Sequence, residues 1–302
     1  MKKGLGLFFV FGMCVCNFVQ AQYQPLLNPQ STQQIQKFKE QKVAAQSIFM
    51  DVNGSQAPYG LVKFDEHGRI LKNITPKNHQ HFTYDENGRL TSFIDSAHDG
   101  RRFWKNEYAF AFDAEGRPQN FKLGKTTSNF IYDAAKRELV EATSTAKTIY
   151  KYNEENKITE EITEGGDQPK VHKYIYNKYG DLASEILAQK NLNGTDSAKT
   201  IYTYDSKGKL LRKQVTTIQS VDDAGDPTTP PTVTKTTKVI NYAYDIRTGL
   251  LISENIVCSN PKENCKTEWT YDNFGLPIKE SKLDATGKPI QAFVYKYSYV
   301  RK

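Results

Sequence analysis

Aromatic and polar residues alternate along most of the chain, in short runs that each end at a turn signal. In the runs Phe82–Tyr84 and Tyr202–Tyr204 the outer two residues are aromatic and the middle one is threonine. Side chains of a strand point alternately to its two faces, so this period of two predicts half-buried β-strands with one aromatic face. Asp or Asn, two variable residues and usually Gly follow each run, which is typical of a hairpin turn.

The turn signal recurs along the chain at a shortest full spacing of 20 residues. The Asp side chain accepts hydrogen bonds from the turn backbone, and Gly three residues later adopts a positive φ without a Cβ clash. Asn156 replaces this Gly in the fifth unit, Gly249 is displaced by one place in the eighth, and the fourth has Lys136 there. The Asp or Asn position falls at Asp65, Asp85, Asp113, Asp133, Asn153, Asn177, Asp205, Asp245, Asp272 and Asp284, the last of these in a truncated half unit.

Pairing of Asp85 with Arg89 would make Tyr84 face Leu90, and would make Phe82 face Ser92 across the hairpin. The same rule predicts the pairs Phe64–Ile70, Tyr152–Ile158, Tyr176–Leu182, Tyr204–Leu210 and Tyr244–Leu250. Proline stands at the aliphatic position in three units, at Pro118, Pro277 and Pro289. Because proline lacks an N–H donor, we expect those strands to lie at a sheet edge or to lose one ladder bond.

The unit Tyr84–Thr91 resembles the core of the YD repeat, which builds the β-sheet shells of RHS and teneurin-like proteins. The resemblance covers roughly residues 60–299 and implies a long curling sheet that can wrap around cargo. The chain has too few units for a large shell, lacks an Asp-Pro-x-Gly motif at Asp226, and has no toxin-like domain after the repeats. We therefore expect an all-β fold of antiparallel β-hairpin repeats, forming a curled or solenoid-like sheet with one N-terminal helix.

The first residues have the pattern of a secretory signal peptide. Two lysines precede the apolar run Leu5–Val19, and Ala21 provides a small residue for cleavage, which predicts a signal over residues 1–21. Cys14 and Cys16 leave a lipoprotein as the alternative, although the residues before them are too large for that processing. No later stretch is apolar enough to span a bilayer. The prediction is export to the periplasm or cell surface without a transmembrane anchor.

Residues 22–58 precede the repeats, which we assign to residues 59–302. Ile35, Phe38, Val43 and Ile48 recur at helical spacing in a Gln- and Lys-rich stretch, with Ser31 or Thr32 as the N-cap. This pattern predicts one amphipathic helix, reaching to about residue 49, that covers the first strand edge. A disordered tether is the alternative.

Two cysteines lie beyond the signal, Cys258 and Cys265, in a turn-rich segment between two apparent strands. In an oxidising compartment they predict a disulfide that staples this hairpin. Two thiols without nearby histidines are too few for a structural zinc site, and His79 and His81 share a strand face with no further ligand beside them. We therefore expect no metal and no cofactor.

Composition narrows the function further. Hydrophobic residues make up 38% of the chain, which contains 18 tyrosines, so a thin sheet is favoured over one large core. Without the two lysines of the signal, 39 basic residues stand against 34 acidic ones, scattered singly along the chain. A nucleic-acid-binding protein usually has a basic stripe, so no nucleic-acid partner is expected. The chain has no nucleophile elbow and no phosphate-binding loop, and turn capping accounts for the repeated Asp residues, so we expect no catalytic residues and no enzyme.

Aromatic ladders are the candidate binding residues. One interpretation makes these rings the core of the sheet; the other leaves some of them exposed to stack on sugars. The ladders pair Tyr150 with Tyr152, Tyr174 with Tyr176, Tyr202 with Tyr204, Tyr242 with Tyr244, and Trp269 with Tyr271.

The sequence thus predicts an exported, non-enzymatic binding or scaffolding module at the cell envelope, with a polysaccharide or an envelope protein as partner. The alternative function is an encapsulating or immunity-type partner of a secreted toxin. Nothing in the sequence fixes the oligomeric state.

Overall fold

The computed structural model describes residues 32–52, 54–98, 102–114, 118–165, 169–191, 194–221 and 232–300. The predicted signal peptide, the alternative lipoprotein cysteines, the Ser31 cap and the segment 222–231 lie outside the described residues. Among the described residues, no helix is long and apolar enough to cross a membrane.

Within these ranges, one helix precedes twenty strands, and a single turn of 3₁₀ helix (Pro261–Glu263) joins two of the strands. The helix is α1 (Thr32–Glu40). The strands are β1 (Val43–Val52), β2 (Ser55–Phe64), β3 (Ile70–Ile74), β4 (Asn78–Tyr84), β5 (Leu90–His98), β6 (Phe103–Phe112), β7 (Pro118–Leu123), β8 (Thr126–Asp133), β9 (Glu138–Ala142), β10 (Ala146–Tyr152), β11 (Ile158–Gly165), β12 (Lys170–Tyr176), β13 (Leu182–Asn191), β14 (Gly194–Tyr204), β15 (Leu210–Val221), β16 (Thr232–Tyr244), β17 (Leu251–Cys258), β18 (Cys265–Tyr271), β19 (Pro277–Asp284) and β20 (Pro289–Tyr299).

The sheet closes on itself into an antiparallel barrel. Each strand pairs with the next, and β20 pairs with β1, for example Gln46 with Tyr297 and Ile48 with Tyr295. The predicted curled or solenoid-like open sheet is therefore wrong. The closing strand is β1, whose residues Val43 and Ile48 were predicted to be helical. β1 also pairs with β2, so it joins the first repeat to the last.

The ring has two rims, and the turns of the repeat lie almost entirely at one of them. Nine of the ten turns, from Asp65 to Asp272, connect an even-numbered strand to the following odd-numbered one and lie together at one rim, the repeat rim. The tenth, at Asp284, joins β19 to β20 and lies at the opposite, far rim. Its strand β19 belongs to two hairpins, so the truncated half unit shares a strand with its neighbour.

The turns have the predicted chemistry. Asp65 Oδ1 accepts the backbone N–H groups of His67 and Arg69, both at 2.9 Å, and the Gly68 N–H donates to the Asp65 carbonyl at 3.0 Å. Asn156 and Gly249 have φ values of 59° and 70°, which confirms them as the left-handed residues of their turns. In the fourth unit the left-handed residue is Arg137, one place beyond the expected position.

Most of these turns are followed by a β-bulge, which changes the register that we predicted for the strand pair. Tyr84 faces Leu90 as predicted, but the bulge makes Phe82 face Phe93, so the pairing of Phe82 with Ser92 is wrong. The predicted pairs at β2–β3, β10–β11, β12–β13 and β14–β15 are confirmed. Tyr244 faces Leu251 instead of Leu250, because the eighth turn is one residue longer.

The prolines do not mark edges, because the closed ring has none. Pro277 and Pro289 are the first residues of β19 and β20, as Pro118 is of β7. The missing N–H therefore falls at the turn, where a strand tolerates it.

Helix α1 lies across the repeat rim at the place where the ring closes. Phe38 is buried against Phe64, with ring centroids 4.5 Å apart, in a cluster that includes Leu276 of the ninth turn. A Cβ on Gly68 would collide with the Ile35 carbonyl oxygen, so the helix packs directly against the first turn. The helix therefore covers the junction of first and last repeats, whereas we predicted that it covers a free edge.

The interior of the ring is not a dry core. Most buried hydrophobic residues of the described ranges fall into two separate clusters, one around Phe38 and Phe93 and one around Leu139 and Tyr150, while most other inner side chains are half-buried. Two sheets packed face to face would bury these side chains continuously. Closed sheets of about sixteen strands or more enclose an open interior. The burial pattern therefore gives the ring an inner wall that faces solvent.

Candidate binding surface on the inner wall

All ten aromatic residues predicted as candidate binding residues lie on the inner wall. Tyr150 and Tyr152 are buried, each 8% exposed, and the other eight are half-buried. They form two rows: one next to the repeat rim, and one further from it. The structure thus places the ladders between the two predicted extremes of core and exposed platform, and sugar stacking stays a prediction.

The rim row is fixed by its hydroxyl groups. The Tyr84 hydroxyl donates to the Ile70 carbonyl at 3.0 Å and the Tyr204 hydroxyl to the Leu182 carbonyl at 2.9 Å. The same bond joins Tyr176 to Ile158, Tyr244 to Leu210, Tyr271 to Leu251 and Tyr297 to Pro277. Because each hydroxyl reaches back to the preceding hairpin, this row links neighbouring repeats.

Cations from the preceding unit cover several rim-row rings, which explains the charged residue after the Gly of the motif. Arg69 lies 4.5 Å from the Tyr84 ring centroid, and Lys209 lies 5.2 Å from that of Tyr244. Lys209 Nζ also donates to the Gly249 carbonyl at 3.2 Å. Leu250 occupies the charged position before the ninth turn, and there Lys37 of α1 donates to the Gly275 carbonyl instead, at 3.2 Å.

The second row of aromatic residues faces charged residues that the sequence analysis missed. On β9 to β14, Tyr150 donates to Glu141 at 3.1 Å and Tyr202 donates to Glu185 at 2.7 Å. Glu161 accepts an ion pair from Lys170 Nζ at 2.8 Å. We call this set the tyrosine–glutamate arc; its members are Glu141, Tyr150, Glu161, Lys170, His172, Tyr174, Glu185 and Tyr202.

Glu185 is the electrostatic centre of the tyrosine–glutamate arc. His172 Nε2 lies 3.2 Å from one carboxylate oxygen, and the Tyr202 hydroxyl donates to the other. Burial alone would raise the pKa of the Glu185 carboxyl, but the hydrogen bonds from His172 and Tyr202 outweigh it and hold that pKa at about 2. The carboxylate is therefore ionised across the physiological range and fully engaged by protein donors.

His172 connects this carboxylate to the next one. Its Nδ1 lies 2.9 Å from the Tyr174 hydroxyl, which in turn lies 3.4 Å from Glu161 Oε2. A neutral His172 that donates from Nε2 to Glu185 accepts the Tyr174 proton at Nδ1. A protonated His172 donates from both nitrogens, and Tyr174 then donates to Glu161. In both states the ring nitrogens of His172 and the hydroxyl of Tyr174 have hydrogen-bond partners.

The wall from β15 to β19 is different. Lys213, Lys238 and Lys282 point to the same face as Tyr202 and Tyr242, since Tyr202 pairs with Lys213 and Tyr242 with Glu254. Within the described part of the chain, none of the three ammonium groups has a carboxylate oxygen within 4.0 Å. We call Lys213, Lys238, Tyr242, Glu254 and Lys282 the lysine arc.

Glu254 is the one carboxylate in the lysine arc. Burial raises the pKa of its carboxyl above the ordinary value, and the positive charges of Lys238, Lys213 and Lys282 offset that only in part. Glu280 lies two residues from Lys282 on β19, where the Trp269 indole N–H donates to it at 3.3 Å and the Tyr295 hydroxyl at 2.9 Å; these neutral donors do not cancel the charge of a carboxylate. Three ammonium groups against the two carboxylates Glu254 and Glu280 give this part of the wall a net positive charge.

A periodic signal for these charged residues exists in the sequence. The residue eight places after the turn Asp or Asn is Glu141, Glu161, Glu185, Lys213 or Glu280 in five of the units. A regular hairpin would assign this position to the outer face. The bulge turns Glu161, Glu185, Lys213 and Glu280 inward, whereas in the fourth unit the longer turn does this for Glu141 without a bulge.

The two cysteines both face the interior, near the far rim. Cys258 lies beside Lys238 on the neighbouring strand, and Cys265 beside Ile256. Burial raises the pKa of the Cys258 thiol. The structure has both as free thiols, and the disulfide between them stays a prediction. In the described ranges, no three His, Cys, Asp or Glu side chains are grouped as metal ligands are.

Comparisons with known proteins do not supply a family. No family model matches the chain, and no curated protein matches it. Among solved structures it is similar to a porin-like protein from Bacteroides uniformis, at 11% identity and a TM-score of 0.38, over 85% of this chain and 98% of that one. It is similar to TcdB2–TccC3 at 12% identity and a TM-score of 0.34, over 82% of this chain.

The match to TcdB2–TccC3 with Cdc42 has 17% identity and a TM-score of 0.28, over 76% of this chain. This chain spans only 17% and 11% of the length of the two TcdB2–TccC3 chains. All these TM-scores are low, so the likenesses carry no argument about fold or function. Membership of the YD-repeat family stays a prediction from the turn pattern.

Proposed function

We propose that this chain is an exported, non-enzymatic protein of the cell envelope that binds glycans on the inner wall of its ring. The observation that supports the proposal is the second aromatic row, in which half-buried rings alternate with carboxylates and lysines along a wall that faces an open interior. Aromatic rings provide apolar faces for sugar rings, and the carboxylates and ammonium groups are hydrogen-bond partners for hydroxyl groups. A few polar groups on a concave aromatic surface are the usual composition of a ligand site.

Binding is tested by screening the purified protein against a glycan array together with its Tyr242→Ala variant. Tyr242 is half-buried on the inner wall, and no hydrogen bond joins its hydroxyl to another described residue. Its removal therefore takes away a ring without breaking a network. We expect the variant to lose the glycan signal. The matched control is Tyr179→Ala, a tyrosine that is 77% exposed at a turn of the repeat rim. An equal loss in both variants, or no glycan signal from the unaltered protein, would contradict the proposal.

Ring closure favours a second candidate function, the enclosure of a partner polypeptide such as a secreted toxin. Twenty strands give an interior wider than side chains alone fill. A co-purified polypeptide that is protected from protease by the intact ring would favour this candidate over glycan binding.

The outer wall favours an aqueous location. Lys151, Glu160 and Lys173 lie side by side across three strands of that wall, with Glu160 accepting an ion pair from Lys151 at 2.8 Å. A charged residue facing hydrocarbon costs about 2–4 kcal/mol near the middle of a bilayer. We therefore expect the protein to remain in the aqueous phase when it is partitioned with a non-ionic detergent; recovery in the detergent phase would contradict this location.

A further inference from the structure

We infer that the lysine arc binds the acidic groups of an anionic glycan, such as the carboxylates of a uronic acid polymer. This inference rests on the proposed function and specifies the class of sugar. It follows from three ammonium groups that share one concave face with an unpartnered tyrosine.

The geometry of the lysine arc places the charges in one patch. Lys213 pairs with Ile240 and Lys238 with Val215, so these two ammonium groups come from adjacent strands, one step apart along the ring. Tyr242 pairs with Glu254, Glu254 with Thr267, and Thr267 with Lys282, so Lys282 lies on the same cross-strand row as Tyr242. Lys213 Nζ lies 5.2 Å from the Tyr202 ring centroid. A sugar carboxylate between Lys213 and Lys238 would meet two cations beside the Tyr202 ring.

The rest of the ring strengthens the selectivity for an anion. Three carboxylates of the tyrosine–glutamate arc are already bonded, Glu141 by Tyr150, Glu161 by Lys170 and Glu185 by His172 and Tyr202. A negative polymer would be repelled from that arc and attracted to the lysine arc. Inside a concave site the field of such a patch is concentrated and raises the local concentration of the opposite charge. Glu254 opposes the ligand, and its replacement by glutamine should strengthen binding.

The inference is tested by titrating the full protein with tetragalacturonate and with its methyl ester, which is neutral. We expect the acid to bind about tenfold more tightly than the ester, since the ester forfeits charge-assisted hydrogen bonds. Lys238→Gln and Lys213→Gln should each weaken binding of the acid by about tenfold. Lys199→Gln is the control, an exposed lysine on the outer wall of β14 whose loss should change nothing. Rising salt should weaken the binding of the acid and leave the binding of the ester unchanged.

The outcomes separate this inference from the proposed function. Equal binding of acid and ester, or wild-type affinity in both lysine variants, would overturn the charge selectivity while leaving glycan binding in place. Failure of both oligosaccharides and of every glycan on the array would overturn the two together. Tighter binding by Glu254→Gln than by the unaltered protein would support the lysine arc specifically, and weaker binding would contradict it.

Discussion

The tyrosine–glutamate arc and the lysine arc arise from the same repeat, on neighbouring stretches of one wall. In the first, the inward residue after the turn is Glu141, Glu161 or Glu185, and tyrosine hydroxyls, His172 or Lys170 engage each carboxylate. In the second, the corresponding position is Lys213, and Lys238 and Lys282 add further ammonium groups without ion-pair partners in the described residues. Satisfied polar networks stabilise a fold, whereas unsatisfied charges facing solvent are available to a ligand. One repeat thus supplies the tyrosine–glutamate arc, which stabilises the ring, and the lysine arc, which is the proposed binding surface.

The largest expected effect on stability is in the tyrosine–glutamate arc. Glu185→Gln removes the charge that His172 and Tyr202 bond, and we expect it to cost about 3 kcal/mol of unfolding free energy at pH 7. Urea denaturation of the variant and the unaltered protein measures this. A cost below that of an outer-wall change such as Lys199→Gln would show that the network does not stabilise the ring.

Acid should reduce the difference in unfolding free energy between the unaltered protein and Glu185→Gln. The folded pKa of Glu185 is about 2, below the ordinary value of 4.5. A depressed folded pKa gives stability that is complete above the unfolded value and is lost as the pH falls towards the folded one. The free-energy difference between the unaltered protein and Glu185→Gln should therefore be constant above about pH 5.5 and shrink between pH 4.5 and pH 2. Denaturation midpoints across this range give the answer, and a difference independent of pH would contradict the assigned hydrogen bonds.

In the lysine arc, ionisation of the carboxylate has the opposite effect on stability. Burial raises the pKa of Glu254 in the folded protein, so ionisation of this carboxyl at neutral pH opposes folding. We expect Glu254→Gln to stabilise the protein by about 0.5–1 kcal/mol at pH 7, with the gain disappearing as the pH falls below the folded pKa. Thermal unfolding at pH 7 and pH 4 tests both the gain and its direction. A loss of stability at pH 7 would mean that the three lysines outweigh burial.

The smallest expected effect is that of Lys238→Gln on stability. The Lys238 ammonium group has no ion pair in the described structure, so its loss should change the unfolding free energy by less than about 0.5 kcal/mol. The same urea titration used for Glu185→Gln provides the comparison. A cost as large as that of Glu185→Gln would remove the distinction between the two arcs.

Local turn chemistry was readable from the sequence, and closure was not. Asp65 and its counterparts mark turns through contacts within five residues, which a sequence pattern contains. The bulge beside Thr91 gives no comparable signal, and missing it placed Glu185 and its equivalents on the wrong face. Closure depends on β1, where Val43 and Ile48 fit a helical spacing and a strand equally well. Pairing with Tyr299 and Tyr295 decides for the strand, and those partners lie about 250 residues away, beyond any local pattern.

The most direct test of the account is hydroxyl-radical footprinting of the aromatic residues, with and without tetragalacturonate. An open inner wall with its ligand site on the lysine arc predicts that two tyrosines react with the radical in the free protein and are protected by the acid. They are Tyr242 of the lysine arc and Tyr202, whose ring lies beside Lys213 at the border of the two arcs. Tyr150, only 8% exposed in the other arc, should react little and show no change. Protection confined to outer residues such as Tyr179, or no reaction of Tyr242 in the free protein, would contradict an open interior with its ligand site on the lysine arc.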